Sequence, residues 1–188
     1  EVLIMPTFTP PHKEAKSLAS CEDRLEMCIR TFSDDFYKVS DLEIKREGKS
    51  YTVDTLEALK KIYPDDELYL IMGSDMLLSF HRWYRYEDIL SSVTICATTR
   101  QGDISLDELK TYSRDVLKKE TLIIDFEPFE CSSTKVRNEL LSGADVKSML
   151  PERVLSYIIE KGLYADKYTE IRGLLKSKLD DYRYIHSS

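Results

Sequence analysis

The chain has 188 residues, 42% hydrophobic and 32% charged, with a formal net charge of −7. That suits one domain of ordinary size with a small appendage. No segment reaches the ~18 consecutive apolar residues of a membrane span. The acidic balance speaks against a general nucleic-acid binder and leaves room for a local basic pocket. Neither a membrane nor a nucleic acid is therefore expected as a partner. The opening EVLIMP lacks the basic region and the apolar length of a signal peptide and reads as a chain entered in mid-strand. The four cysteines, Cys21, Cys28, Cys96 and Cys131, form no CxxC pair. Reduced thiols in a cytoplasmic protein are expected, with no zinc site.

In chain order, residues 2–5 read as an apolar strand ended by Pro6, followed by a loop over residues 7–13. A helix opens at Ser20, where Ser20 and Asp23 form a variant capping box. Cys21, Leu25, Cys28, Ile29 and Phe32 fall on one face of it. Residues 37–45 are strand-like, and residues 46–50 are a polar loop. Residues 52–62 are helical, with Leu56, Leu59 and Tyr63 inward. Residues 67–72 carry an apolar run too short for a helix, expected as a strand buried on both faces. A short helix over 86–90 and a strand over 93–97 follow. Ser105 to Glu108 forms a capping box for a helix to about Lys118, and residues 121–125 form another strand. A helix over 133–141 stops at Gly143. The next begins at Pro151, carries Val154, Leu155, Ile158 and Ile159 as its apolar stripe, and ends at Gly162. Such β-α alternation predicts an α/β fold with a parallel sheet and helices on both faces. From about Ala165 a further amphipathic helix is expected, bearing Tyr168, Ile171, Leu174, Leu175, Leu179 and Tyr182.

Three loops that follow strands carry polar residues suited to a nucleotide. In the first, Pro10 and Pro11 stiffen the backbone ahead of His12 and Lys13, a basic pair that could face a phosphate. The second is Gly73, Ser74 and Asp75, followed by Trp83 and Arg85. In open α/β sheets ligands bind beyond the carboxyl ends of strands, which makes Asp75 a candidate ribose or metal partner and Trp83 a candidate stacking ring. The third is Cys131, Ser132, Ser133, Thr134, Lys135, Val136 and Arg137, opening a helix. Free N–H groups there favour an anion, and basic residues in a first turn oppose the dipole unless an anion compensates them.

In combination these blocks are specific. PPHK, SYT, GSD with a following Trp, and SSTKVR, together with REGKSYTVDTL and LPERVLSYIIEKGLY, resemble bacterial nicotinate-nucleotide adenylyltransferases over residues 1–164. The resemblance implies a Rossmann-like nucleotidyltransferase fold. It implies transfer of the adenylyl group of ATP to nicotinate mononucleotide, giving deamido-NAD and pyrophosphate in NAD biosynthesis, with Mg²⁺ as cofactor. By position, Tyr51, Thr52 and Trp83 would hold the mononucleotide, Trp83 against the pyridine ring, with His12 and Lys13 on the same substrate. Gly73 and Asp75 would contact the adenosine side. Ser132, Ser133, Thr134 and Arg137 would hold the ATP phosphates. No protein nucleophile is called for, because such a transfer needs positioning and charge neutralisation.

One departure is large. The family's glycine-rich strand and loop, with its two histidines, comes before the PPHK block, and nothing in this sequence precedes Glu1. The expectation is a domain over 1–164 lacking its first strand and phosphate loop, with the main catalytic histidines upstream and the chain as given impaired. The tail over 165–188, ending LDDYRYIHSS, resembles the start of an HD-type phosphohydrolase domain, with His186 a solvated side chain rather than a metal ligand. Two alternatives stand beside the main one: an adenylyltransferase acting on nicotinamide mononucleotide, and a non-catalytic nucleotide-binding module.

Overall fold

The computed structural model describes residues 1–11, 19–98, 104–124 and 131–164. The expectations for His12, Lys13 and the tail over 165–188 lie outside them. The described elements are β1 (Val2–Ile4), α1 (Cys21–Thr31), β2 (Tyr37–Val39), α2 (Leu42–Arg46), α3 (Thr52–Ile62), β3 (Tyr69–Gly73), α4 (Ser74–Leu78), α5 (Tyr86–Ser92), β4 (Thr94–Thr98), α6 (Leu106–Tyr112), β5 (Leu122–Ile124), α7 (Ser133–Ser142) and α8 (Glu152–Lys161).

These form two compact units. The first holds β1, α1, β2, α7 and α8. Its strands β1 and β2 pair in parallel, Val2 opposite Tyr37 and Ile4 opposite Val39. The capping box at its first helix is real: Ser20 Oγ accepts from the Asp23 N–H at 3.0 Å and donates to Asp23 Oδ2 at 2.8 Å. Helix α8 packs on α1 through buried Val154, Tyr157 and Ile158. Ile159, expected inward, is 70% exposed, and Tyr157 takes the inward position instead. The apolar stripe of α8 is thus rotated toward α1, where the Tyr157 hydroxyl donates to Asp23 Oδ1 at 2.8 Å.

The second unit holds residues 7–11, α2 to α6 and the parallel sheet β3-β4-β5. Tyr69 lies opposite Thr94 and Gly73 opposite Thr98, while Cys96 faces Leu122. Helices α4 and α6 pack along these strands over a core that includes Met72, Leu77, Phe80, Ile89, Ile95, Ala97 and Leu109.

Four expectations are corrected. The described strands form two parallel sheets, one in each unit, rather than one sheet: alternation of strands and helices specifies parallel pairing but not sheet membership. Strand β3 is buried on one face only, since Tyr69 and Ile71 on the other are 50% and 60% exposed. The stretch over 37–45 divides into β2 and the one-turn helix α2, because Ser40 and Asp41 supply turn chemistry between them. The helix expected to reach Lys118 ends at Tyr112 and passes into a π turn over Ser113–Leu117, closed by Lys118 at φ 53°.

The hydrogen bonds that Asp23 accepts from Tyr157, first, and from Ser20 hold its carboxyl below the usual range. A depressed carboxyl pKa contributes stability above the unfolded value, ~3.9, and that contribution disappears as pH falls through the folded value. Tyr157→Phe is therefore expected to lower the urea midpoint at pH 7 and to have a smaller effect near pH 3. An equal shift at both pH values would show that the hydroxyl acts without the carboxylate.

Candidate active site

In the second unit, residues 7–11 are fastened to the entrance of α3. The Phe8 N–H donates to Ser50 Oγ at 2.9 Å, and the Ser50 N–H returns a bond to the Thr9 carbonyl at 3.0 Å. Ser50 is 5% exposed, so its hydroxyl is a buried fastening rather than a surface group. The turn before it is set by Glu47 and Gly48, both at positive φ, 59° and 72°. Tyr51 is the N-cap of α3, and its side chain makes no capping hydrogen bond. A helix N-terminus without such a cap is suited to a ligand anion.

This entrance opens on a cavity of about 180 Å³ lined by Thr7, Pro11, Tyr51, Thr52, Trp83 and Tyr84, with Ser50 and Ile89 at its base. The structure thus gathers Tyr51, Thr52 and Trp83 as expected. The Tyr51 and Tyr84 rings lie 4.7 Å apart, and half-buried Trp83 stands 5.1 Å from the fully buried Phe80. The turn that presents Trp83, Phe80–Arg82, is pinned from outside by the 2.7 Å bond between His81 Nδ1 and the Tyr112 hydroxyl. Arg85 follows at φ 52°, bridging Glu57 at 3.0 Å and Asp88 at 2.6 Å. Arg85 is therefore engaged in fixing α5 to α3, not held open for a phosphate.

Sequence reading missed the polar group behind α3. Buried Thr55 donates to Glu43 Oε1 at 2.6 Å and accepts from Arg46 Nη2 at 3.0 Å. Glu43 Oε2 and Arg46 Nη1 are buried without a partner. Glu43, Arg46 and Thr55 all lie within EIKREGKSYTVDT, but a charged pair ahead of a polar loop reads as a solvated turn until the fold buries it.

Gly73 and Asp75 lie where expected, at the carboxyl end of β3 and in the first turn of α4. Gly73 has an extended backbone, φ −76°, so what it contributes is the absence of a side chain. Ser74 is buried and Asp75 exposed.

In the first unit, Ser132 caps α7, its Oγ accepting from the Lys135 N–H at 3.1 Å. That bond uses one of the N–H groups expected to face phosphate, while the Ser132 hydroxyl proton stays available. Ser132, Ser133 and Arg137 line a cavity of about 500 Å³, joined by Arg24, Cys28 and Cys131. Thr134 lies outside that lining and accepts from Arg137 Nη2 at 3.4 Å. Arg24, on α1, supplies a second guanidinium that no local pattern could have placed there. Burial raises the Cys28 thiol pKa, so Cys28 is a neutral wall of this cavity. All four cysteines are free thiols. Among the described residues no three His, Cys, Asp or Glu side chains converge as a metal site, and no helix is long and apolar enough to cross a membrane.

Parallel strands that alternate with helices place the chain in the Rossmann-like nucleotidyltransferase fold. The cytidylyltransferase-like family matches residues 1–139. A protein of Desulfitobacterium hafniense strain DSM 10664 / DCB-2, named "Probable nicotinate-nucleotide adenylyltransferase", is 38% identical over 167 residues, covering 87% of this chain and 81% of its own. A Clostridium tetani protein of the same name is 30% identical over 168 residues, covering 87% and 84%. The chain belongs to the nicotinate-nucleotide adenylyltransferase family. The solved Plasmodium falciparum nicotinic acid mononucleotide adenylyltransferase complexed with APC superposes at TM-score 0.66 and 18% identity, covering 87% of this chain and 82% of its own, a likeness of fold.

Thr55→Val would leave both Glu43 oxygens and the Arg46 guanidinium short of partners in a buried place. The expected loss is ~1–3 kcal/mol of folding free energy, read from urea denaturation. A midpoint within error of the parent would show that the group is hydrated and contributes little.

Proposed function

We propose that this protein transfers the adenylyl group of ATP to nicotinate mononucleotide, releasing pyrophosphate and forming deamido-NAD. Family membership supports the reaction. The observation that carries the substrate is the cavity in which Trp83 meets the N-terminus of α3, where the Tyr51 side chain makes no capping bond. In the reaction a phosphate oxygen of the mononucleotide attacks the α-phosphorus of ATP. The bond from that phosphorus to the bridging oxygen breaks, and the electron pair leaves with pyrophosphate.

At about 180 Å³ the cavity is smaller than a whole-ligand pocket and suits one ring with its substituent. Trp83 stacks on the pyridine ring. The carboxylate then lies at the first turn of α3, where it only accepts hydrogen bonds and where the positive end of the helix dipole favours its charge. A carboxamide carries two N–H donors and no charge, so it gains less there. That is the physical basis for preferring nicotinate over nicotinamide. Ser132, Ser133 and Arg137, with Arg24, are assigned to the ATP phosphates, and Gly73 and Asp75 to the adenosine side. Thr134 acts by orienting Arg137. His12 and Lys13 are assigned to the mononucleotide by sequence position alone.

Mg²⁺ is the proposed cofactor. The donor set fits an ion that arrives on the triphosphate, since Mg²⁺ commonly keeps its waters and takes one or two carboxylates plus substrate phosphates rather than a protein cage. When bound it would neutralise phosphate charge. The protein's own residues would position the two substrates. The cytoplasm, where both nucleotides are made and used, is the proposed compartment.

The test is pyrophosphate release by the full natural chain with ATP and either mononucleotide. A higher specificity constant for nicotinate mononucleotide is expected, and equal constants would overturn the carboxylate assignment. EDTA should abolish turnover and added Mg²⁺ should restore it. Trp83→Ala should weaken mononucleotide binding by ~1–3 kcal/mol, about 5- to 150-fold in Kd, with ATP affinity held. An equal loss for ATP would mean that Trp83 supports the fold rather than the ring.

A further inference from the structure

The π turn that interrupts the expected long helix borders a second cavity in the β3-β4-β5 unit, about 560 Å³ and open to the surface, lined by Lys110, Ser113, Arg114, Lys118, Lys119 and Thr121, with Glu120 the one carboxylate among them. It lies at the amino-terminal edge of the sheet. Thr121 immediately precedes β5, and the Lys119 ammonium donates to the carbonyls of Leu90 and of Val93, just ahead of β4. Gly73 and Thr98 end their strands at the other edge.

Two residues of this lining carry hydroxyls without a hydrogen-bond partner among the described residues, Ser113 Oγ and Thr121 Oγ1. Their residues are only 4% and 9% exposed. A buried hydroxyl left unpaired costs ~1–3 kcal/mol, so an acceptor in the cavity that these two side chains reach by rotating about χ1 would recover that loss. The same lining carries four cationic side chains. Lys119 is directed at carbonyls and Arg114 is bidentate on Asp115 at 2.8 and 3.3 Å, so neither is where the cavity draws most of its free charge. Lys110 and Lys118 take no part in those bonds. Lys118 occupies the left-handed region, φ 53°, at a helix-terminating position that glycine fills with less strain. π turns recur at functional sites.

We propose that this cavity binds a phosphate-class oxyanion, inorganic or carried by a small metabolite. Hydroxyl donors and ammonium charge together suit phosphate oxygens, which only accept. An apolar occupant would leave both hydroxyls unpaired, and a cation would meet like charge.

The test is a ¹H–¹⁵N NMR titration of the full chain with inorganic phosphate, pyrophosphate and AMP in separate arms, against chloride at matched ionic strength. Saturable shifts at Ser113, Lys118 and Thr121 are expected with at least one phosphate compound and not with chloride. A response to AMP alone places the phosphate on a metabolite, and a response to the inorganic anions places it free. Ser113→Ala removes a hydroxyl without a partner among the described residues, and Lys118→Gly suits its backbone, so both should fold as well as the parent. Each should raise Kd roughly two- to tenfold. The proposal is overturned if no compound shifts these amides, if chloride shifts them equally, or if Ser113→Ala lowers the melting temperature and leaves the titration unchanged.

Discussion

Parallel strand pairing is the constraint from which the larger unit follows. A parallel ladder cannot be closed by a tight turn, so each return from β3 to β4 and from β4 to β5 must climb back through helical crossovers. Every strand then ends on the same edge. Gly73 and Thr98, register partners, sit side by side there, and α4 opens directly from β3 at the edge where ligands of such sheets bind. The opposite edge collects what the crossovers leave behind: the end of α5, the π turn and the approach to β5. One pairing rule thus yields two edges with different chemistry, one glycine- and carboxylate-bearing, the other rich in lysine and hydroxyl groups.

Loops at such an edge need fastening, and here it is done by buried polar bonds. Ser50 holds residues 7–11 in two directions at once, and Glu43, Thr55 and Arg46 brace the first turns of α3 from behind. In a low-dielectric interior such bonds are strong when made and costly when broken. The consequence is directional. The α3 N-terminus is braced from behind while the cavity in front of it stays open, which is preorganisation in the physical sense.

Charge shows the same separation of scales. The chain carries −7 overall, yet Arg24 and Arg137 meet in one cavity of the first unit, and Lys110 and Lys118 in one cavity of the second. Beyond about 8–10 Å in physiological salt, surface charges scarcely feel one another. An anion responds to the groups lining its site rather than to the net charge of the chain.

The amino-acid sequence by itself determined most of the local structure: the Ser20 and Ser105 caps, the Gly143 and Gly162 stops, the parallel α/β class, and the motifs that hold the cavity-lining residues Tyr51, Thr52 and Trp83. These are legible because caps, stops and periodicity act within a few residues, and because the motifs that carry the family resemblance are contiguous. Tertiary structure alone decided the rest. It put Arg24 of α1 beside Arg137 of α7, turned Tyr157 rather than Ile159 inward, engaged Arg85 with Glu57, and buried Ser113 and Thr121 in a cavity with four cations. Each of those outcomes joins residues from separate elements or buries a group that is equally at home in water. Nothing within one turn of the chain specifies such a choice, which is made only when the elements pack and each polar group must find a partner or go without.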